Sequence, residues 1–143
     1  MNDLRSIPAY LMRGGTSKGL VFHKKDLPNT RNLLTEYLLK IMGSPDIRQI
    51  NGIGGGTSVT SKVCIISKSL EKDVDIDYFF AQVEVDRNHV DYAPTCGNML
   101  SAIGPFAIEE GLVETSDEIT KVNVKSINTV SYTHLTLPTN LSV

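Results

Sequence analysis

Residues 98–112 read NMLSAIGPFAIEEGL, and this stretch decides the fold. Its apolar side chains cover most of the circumference of a helix; they are Met99, Leu100, Ile103, Phe106, Ala107 and Ile108. A helix that is apolar nearly all round is normally buried. Gly104 and Pro105 predict a kink within it, and Gly111 predicts its end. We therefore expect this segment to be the central element of the core.

The rest of the chain is dominated by segments with the character of strands. One amphipathic helix follows Pro28, with Asn29 or Thr30 as its cap and Gly43 as its end. Strands outnumber helices, so the expected fold is α+β, a mixed or antiparallel sheet wrapped around the central apolar helix, and not a doubly wound parallel sheet. The predicted strands are 7–12, 20–23, 62–67, 120–125 and two alternating runs, 74–78 and 82–86, whose opposite phases predict a bulge or bend at 79–81.

Composition excludes several classes of protein. The chain has 143 residues with a formal net charge of −2, whereas nucleic-acid binding that depends on phosphate neutralisation needs a basic surplus. An apolar content of 41% is typical of a folded soluble domain. No apolar run approaches the roughly 18 residues of a membrane helix. We therefore expect a cytoplasmic protein with neither nucleic acid nor a membrane as partner.

The last residues differ from the rest. Residues 131–140, SYTHLTLPTN, carry no charge and develop neither the helical nor the strand period clearly. They resemble tails that adaptor or vector sequence appends to a reading frame. The interpretation is a domain at 1–130 and a non-native tail at 131–143, with a native loop and edge strand as the alternative.

Two glycine-rich stretches predict a pocket for anionic oxygens. Residues 14–18 (GGTSK) and 55–58 (GGTS) lie before apolar strands. Exposed backbone N–H groups beside small hydroxyls and a lysine bind carboxylate or phosphate oxygens. Neither stretch has the spacing of a nucleotide-binding loop. A carboxylate ligand is the better interpretation.

The two cysteines have different settings. Cys64 lies in an apolar strand and is expected to be a buried, inert thiol. Cys96 directly precedes the apolar helix, where the macrodipole and free N–H groups favour a thiolate, and Gly97 would let a substrate approach. Taken alone, this position leaves a structural and a functional role equally open. Two cysteines and scattered histidines do not have metal-ligand spacing, so no metal is expected.

Six short strings occur in a set order: MRGGTSKG (12–19), MGSPD (42–46), QINGIGG (49–55), TSKV (60–63), CGN (96–98) and GPFAI (104–108). Together they resemble the PrpF family, which resembles a branch of the diaminopimelate epimerase fold. The family contains 2-methylaconitate isomerases and 4-oxalomesaconate tautomerases. The resemblance covers residues 6 to 128 and departs from the family pattern at Asn51, where an aspartate is usual, and at Thr95, where an asparagine is common.

The resemblance implies a cofactor-independent isomerase of two lobes with its active site between them. This chain would be the N-terminal lobe, and the second lobe would be its partner, with a homo-oligomer as a further expectation. Lys62 and Cys96 would be the acid/base pair for a 1,3-allylic proton shift, with their individual roles open. The substrate would be an unsaturated tri- or dicarboxylate such as 4-oxalomesaconate or 2-methylaconitate.

Substrate contacts are expected from the glycine-rich stretches and from the start of the apolar helix. Arg13 would be a bidentate carboxylate clamp, and the Gly55 and Gly56 N–H groups would be donors. The other implied contacts are Ser17, Lys18, Thr57, Ser58, Gly97 and Asn98. The alternative function is a catalytically incomplete lobe that acts as a carboxylate-binding or interaction module.

Overall fold

A computed structural model describes residues 4–139 of the chain. In that range there are seven strands and two α-helices. Short 3₁₀ turns at Lys24–Asp26 and Ser58–Thr60 complete the regular structure. The elements are β1 (Tyr10–Gly14), β2 (Ser17–His23), α1 (Arg31–Met42), β3 (Lys62–Lys68), β4 (Ile76–Val83), β5 (Val90–Asp91), α2 (Gly97–Glu109), β6 (Ile119–Ser126) and β7 (Ser131–Pro138).

The strands form one mixed sheet in the order β1-β2-β3-β4-β6-β7, with β5 paired to β4 alone. The pairs β2/β3 and β4/β6 are parallel, and the others are antiparallel. Parallel neighbours need a long crossover, and the two crossovers contain α1 and α2. The expected α+β architecture is confirmed.

The two helices cover opposite faces of the sheet. Alternate residues of each strand point to opposite sides, so each strand contributes side chains to both the cluster under α2 and the cluster under α1. The α2 face is buried by α2, and both edge strands, β1 and β7, contact this helix. The sheet therefore wraps around α2, as its apolar circumference predicts. The buried residues of the α2 face include Val21, Cys64, Ile66, Tyr78, Phe80, Met99, Ile103 and Phe106, and those of the α1 face include Leu20, Phe22, Leu34, Leu38, Val63, Ile65 and Val83.

Both predicted helices are present. Thr30 is the N-cap residue of α1, and Gly43 ends it in the left-handed region at φ 87°. Helix α2 continues through Pro105 and ends at Glu109. Gly111, at φ 67°, follows this end, so the helix is slightly shorter than the predicted 98–112.

Two strand predictions are wrong. Strand β1 begins at Tyr10 and not at residue 7, and β2 already begins at Ser17, so the predicted flexible turn shrinks to two residues. Strand β4 is continuous, and its register with β3 has no bulge between Lys62↔Gln82 and Lys68↔Ile76. The two alternation phases arise because both faces of the sheet are covered, so buried residues occur in either phase.

The segment at 131–138 forms β7, which pairs with β6 along its whole length. Leu135 and Leu137 are half-buried against the α2 face, whereas Thr136 between them is exposed. The segment therefore adds an edge strand to the sheet, because its alternating leucines seat it on α2. A native or appended origin for these residues stays a prediction, and residues 140–143 lie outside the described range.

Candidate functional site

The turn between β1 and β2 lies against the first turn of α2. A Cβ atom added to Gly14 would come within 2.2 Å of the Asn98 carbonyl oxygen, so this position requires glycine. The Asn98 Nδ2 group donates a hydrogen bond to Thr16 Oγ1 at 3.1 Å. Ser17, only 1% exposed, follows directly at the start of β2. The first glycine-rich stretch and the helix start therefore form one unit.

Cys96 is the N-cap residue of α2. Its Sγ accepts the Met99 N–H at 3.5 Å, and the residue is 9% exposed. The N–H groups of Gly97 and Asn98 have no carbonyl partner within the helix, because they belong to its first turn. A Cβ atom on Gly97 would meet no atom within 4 Å, so the space beside the helix start is open. This geometry offers a thiol and free donors to an anionic ligand.

A buried polar layer supports Cys96 from the sheet. The Tyr78 hydroxyl donates to the Cys96 carbonyl oxygen at 3.0 Å, and Cys64 Sγ lies 4.0 Å from the same hydroxyl. Burial raises the pKa of the Cys64 thiol far above its ordinary value, and burial likewise raises the pKa of Tyr78. Cys64 is fully buried and neutral at ordinary pH, as its apolar strand indicates.

Lys62 opens β3 on the same face as Cys96. Its Nζ donates to Gln82 Oε1 at 2.7 Å and lies 5.2 Å from the centroid of the Phe80 ring. Phe80 belongs to the α2-face core together with Cys96. Because β2 and β3 are parallel, Lys62 and Ser17 start their strands at the same edge of the sheet. The structure thus brings Lys62, Cys96 and Ser17 to one end of the α2 face.

Arg13 and Lys18 are not brought to this group. They are partners across β1 and β2, and both are exposed. Met12, the neighbour of Arg13, and Val21, three residues after Lys18, belong to the α2 face. By strand alternation, Arg13 and Lys18 point to the opposite face. The structure therefore does not bring Arg13 and Lys18 together with Lys62 and Cys96, and their contact with a substrate stays a prediction.

The second glycine-rich stretch is folded on itself. The Gly55 N–H donates to the Thr60 carbonyl oxygen at 3.2 Å, and the Gly56 N–H donates to Gln49 Oε1 at 2.8 Å. These groups are not free donors, so the expectation for the two N–H groups is wrong in this conformation. Thr57 and Ser58 lie with Gly56 in a groove of about 290 Å³ that Glu84 and Asp86 also line. Two carboxylates in this groove disfavour an anionic ligand.

The sequence reasoning missed the amide side chains that organise this end of the sheet. Gln49 is 1% exposed, and its Nε2 donates to Ser61 Oγ at 2.7 Å while its oxygen holds the second glycine-rich stretch. Gln82 contacts Lys62 directly. Gln82 is the first residue of the second alternating run, 82–86, which is the signal that the sequence offers for it. Its pairing with Lys62 follows only from the register of β3 and β4. Thr95, one of the departures from the family pattern, accepts a hydrogen bond from Ser126 Oγ at 3.1 Å.

Neither a metal centre nor a membrane span is found in residues 4–139. No group of three His, Cys, Asp or Glu side chains in this range could hold a metal ion. No helix among the same residues is long and apolar enough to cross a bilayer.

Comparison with known proteins identifies the family. The sequence model described as PrpF protein matches residues 4–140. The 4-oxalomesaconate tautomerase of Pseudomonas putida is 53% identical over 133 residues, which are 93% of this chain and 37% of that protein. The 3-methylitaconate isomerase of Eubacterium barkeri is 44% identical over 129 residues, 90% of this chain and 34% of that protein.

A solved structure agrees with these relatives. The crystal structure of methylitaconate-delta-isomerase superimposes with a TM-score of 0.91 at 41% identity, covering 94% of this chain and 35% of that one. The chain spans about a third of the length of the curated relatives it matches. On the sequence match and the shared fold together, this chain belongs to the PrpF family.

Proposed function

We propose that this chain supplies the acid and the base of an isomerase that acts on an unsaturated tri- or dicarboxylate. The observation that supports this most directly is the position of Lys62 and Cys96 on one face of the sheet, beside the open first turn of α2. Relatives named as acting on 4-oxalomesaconate and 2-methyl-aconitate support the substrate class.

The reaction is a 1,3-allylic proton shift. One group removes a proton from the carbon beside the double bond, the electron pair moves to form the new double bond, and the other group returns a proton to the far carbon. The substrate's own carboxylate or keto group carries the transient negative charge, so the step balances without an electron carrier. Either Lys62 or Cys96 can be the base.

Stabilisation of that transient charge is assigned to the start of α2. The N–H groups of Gly97 and Asn98 and the positive end of the helix dipole lie where an anionic group could reach them, with Ser17 at the neighbouring turn. Fixed donors of this kind stabilise developing charge at little reorganisation cost. Thr57 and Ser58 are exposed and stay predicted substrate contacts.

Solvent deuterium exchange tests the proposal. The 143-residue chain, joined to the remaining two thirds of the Pseudomonas putida relative, is incubated in D₂O with 4-oxalomesaconate or 2-methylaconitate. We expect deuterium at the allylic carbons, and a loss of at least about 100-fold in Lys62→Ala and in Cys96→Ala. Lys68→Ala, at the exposed far end of β3, is the matched control. Full activity in either site variant would contradict the assignment.

A second candidate function is a carboxylate-binding module without turnover. The observation that favours it is the open first turn of α2, whose N–H groups can bind an anion without any proton transfer. Calorimetry of the 143-residue chain with trans-aconitate separates the two functions. Binding by the chain together with no exchange in the joined protein would support the module and contradict the isomerase.

A further inference from the structure

The side chain of Gln82 has only one workable orientation. Its Oε1 accepts the Lys62 ammonium at 2.7 Å, and its Nε2 donates to the carbonyl oxygens of Ser58 at 2.9 Å and Ser61 at 3.0 Å. The reversed amide would set its oxygen against two carbonyl oxygens and its NH₂ against an ammonium, so all three contacts would be mismatched. The amide oxygen is therefore held towards Lys62.

The backbone around Gln82 is held as firmly as its side chain. Lys62 and Gln82 are direct partners across the antiparallel β3/β4 pair. The adjacent Val83 N–H donates to the Ser61 carbonyl oxygen at 3.1 Å, and Ser61 Oγ donates to the Val83 carbonyl oxygen at 2.7 Å. These bonds fix the place of the acceptor that Lys62 meets.

The ammonium of Lys62 has a second fixed contact and one titratable neighbour. The Phe80 ring lies 5.2 Å away on the same face. The Cys64 thiol interacts electrostatically with Lys62, but burial keeps it neutral. The oxygen of Gln82 is neutral as well, so it orients the Lys62 side chain through a hydrogen bond and not through an ion pair.

We propose that Gln82 is a positioning residue that holds the Lys62 ammonium in the orientation needed for proton transfer. The proposal rests on the proposed function of Lys62, which Gln82 serves without touching substrate. The physical requirement is that a group exchanging protons must be held within hydrogen-bond reach of the reacting carbon. An acceptor anchored by its own hydrogen bonds meets this requirement for the Lys62 side chain.

The pH dependence of Lys62 acetylation tests this directly. The 143-residue chain is pulse-labelled with acetic anhydride at a series of pH values, and the fraction modified at Lys62 is read by mass spectrometry, with exposed Lys68 as the internal reference. In Gln82→Glu we expect the pH of half-modification of Lys62 to rise by about one unit or more. In Gln82→Met, which keeps the length but lacks a strong acceptor, we expect it to fall.

The controls separate positioning from folding. Asn32→Asp adds the same charge on an exposed position of α1, and it should leave the Lys62 midpoint unchanged. Circular dichroism melting shows whether each variant is folded. A Lys62 midpoint that stays at the wild-type value in folded Gln82→Glu overturns the proposal. If Gln82→Glu does not fold, an unchanged midpoint in Gln82→Met overturns it.

Exchange kinetics of the joined protein distinguish this proposal from the one on which it rests. We expect Gln82→Met to lower kcat about tenfold while KM changes little, because the lost contact orients a proton-transfer group and does not bind substrate. Absence of exchange in the unmodified joined protein would overturn the proposed function, whereas the acetylation shift would persist. An active protein whose Gln82→Met variant keeps its kcat would overturn the positioning role.

Discussion

The two faces of the sheet are built from the same strands but differ in chemistry. The α2 face combines an apolar core with polar side chains: Tyr78 contacts both Cys96 and Cys64, and Lys62 is bonded to Gln82 where β3 begins. The buried cluster of the α1 face is made of aliphatic and aromatic side chains. Its charged residues at this end, Arg13 and Lys18, are exposed. One face carries the candidate chemistry, and the other stabilises the sheet.

A shift of one residue along a strand moves a side chain to the other face of the sheet, and therefore into or out of the candidate site. Lys18 and Lys62 both follow a Thr-Ser pair, and both lie in strands at the same edge of the sheet. Lys18 is the second residue of β2 and faces away from α2, whereas Lys62 is the first residue of β3 and faces towards it. The following predictions test whether the faces are as separate as this comparison indicates.

The largest expected effect compares these two lysines. In the joined protein, Lys62→Ala should lower the exchange rate by about 10²- to 10⁴-fold, because it removes a proton-transfer group. Lys18→Ala should lower it less than about threefold, since its side chain lies on the other face. Deuterium incorporation followed by NMR measures both. Equal losses would show that residues on both faces of the sheet take part in the reaction.

Core packing on the α1 face should affect stability but not chemistry. Leu38→Ala, at a fully buried position, should lower the free energy of unfolding by about 2–5 kcal/mol. Leu33→Ala is the matched control in the same helix; it is 43% exposed and should cost less than about 1 kcal/mol. Urea denaturation measures both, and exchange per folded molecule should stay at the wild-type rate. A large fall in that rate for Leu38→Ala would show that packing on the α1 face affects the chemistry on the α2 face.

The buried thiol of the α2 face should make the fold sensitive to alkali. Burial raises the pKa of Cys64 above its ordinary value of 9.0, so the unfolded chain releases this proton first. The contribution of the neutral Cys64 thiol to the free energy of unfolding is therefore complete below about pH 9. Above that pH the free energy of unfolding falls by up to about 1.4 kcal/mol per pH unit. Urea denaturation between pH 7 and 10.5 measures the slope.

The matched variant for this slope is Cys64→Val, which keeps an apolar side chain of similar size without a titratable group. It should flatten the fall of stability between pH 9 and 10. Tyr78, whose pKa burial also raises, should still reduce stability above its ordinary value of 10.0. An unchanged slope between pH 9 and 10 in Cys64→Val would be inconsistent with a neutral thiol buried in the folded state.

The smallest expected effect concerns the last strand. Leu137 is half-buried beside Gly104 of α2, so Leu137→Ala should lower the free energy of unfolding by about 1 kcal/mol. Thr136→Ala, exposed on the same strand, should change it by less than about 0.5 kcal/mol. Equal and negligible changes would mean that β7 adds nothing to the α2 face, which would favour the interpretation of these residues as an appended tail.

The elements that carry strong local signals could be predicted. Helix α1 has a capping residue, a periodic apolar face and a terminal glycine, and the central position of α2 follows from its apolar circumference. The motifs around Lys62 and Cys96 also identified the family. The bulge predicted near residue 80 was wrong because alternation indicates which residues are buried but not how many faces of the sheet are covered.

The sequence by itself therefore indicated the two helices, the central position of α2 and the two residues proposed for proton transfer, whereas β7 was only an alternative interpretation. Only the tertiary structure decided which side of the sheet each polar residue faces. Arg13 and Lys18 lie on the face opposite Lys62. The Gly55 and Gly56 N–H groups donate to other parts of the chain, and Gln82, twenty residues from Lys62 in sequence, is its hydrogen-bond partner. The physical reason is that strand register and the pairing of backbone donors depend on contacts between distant segments, which no local pattern records.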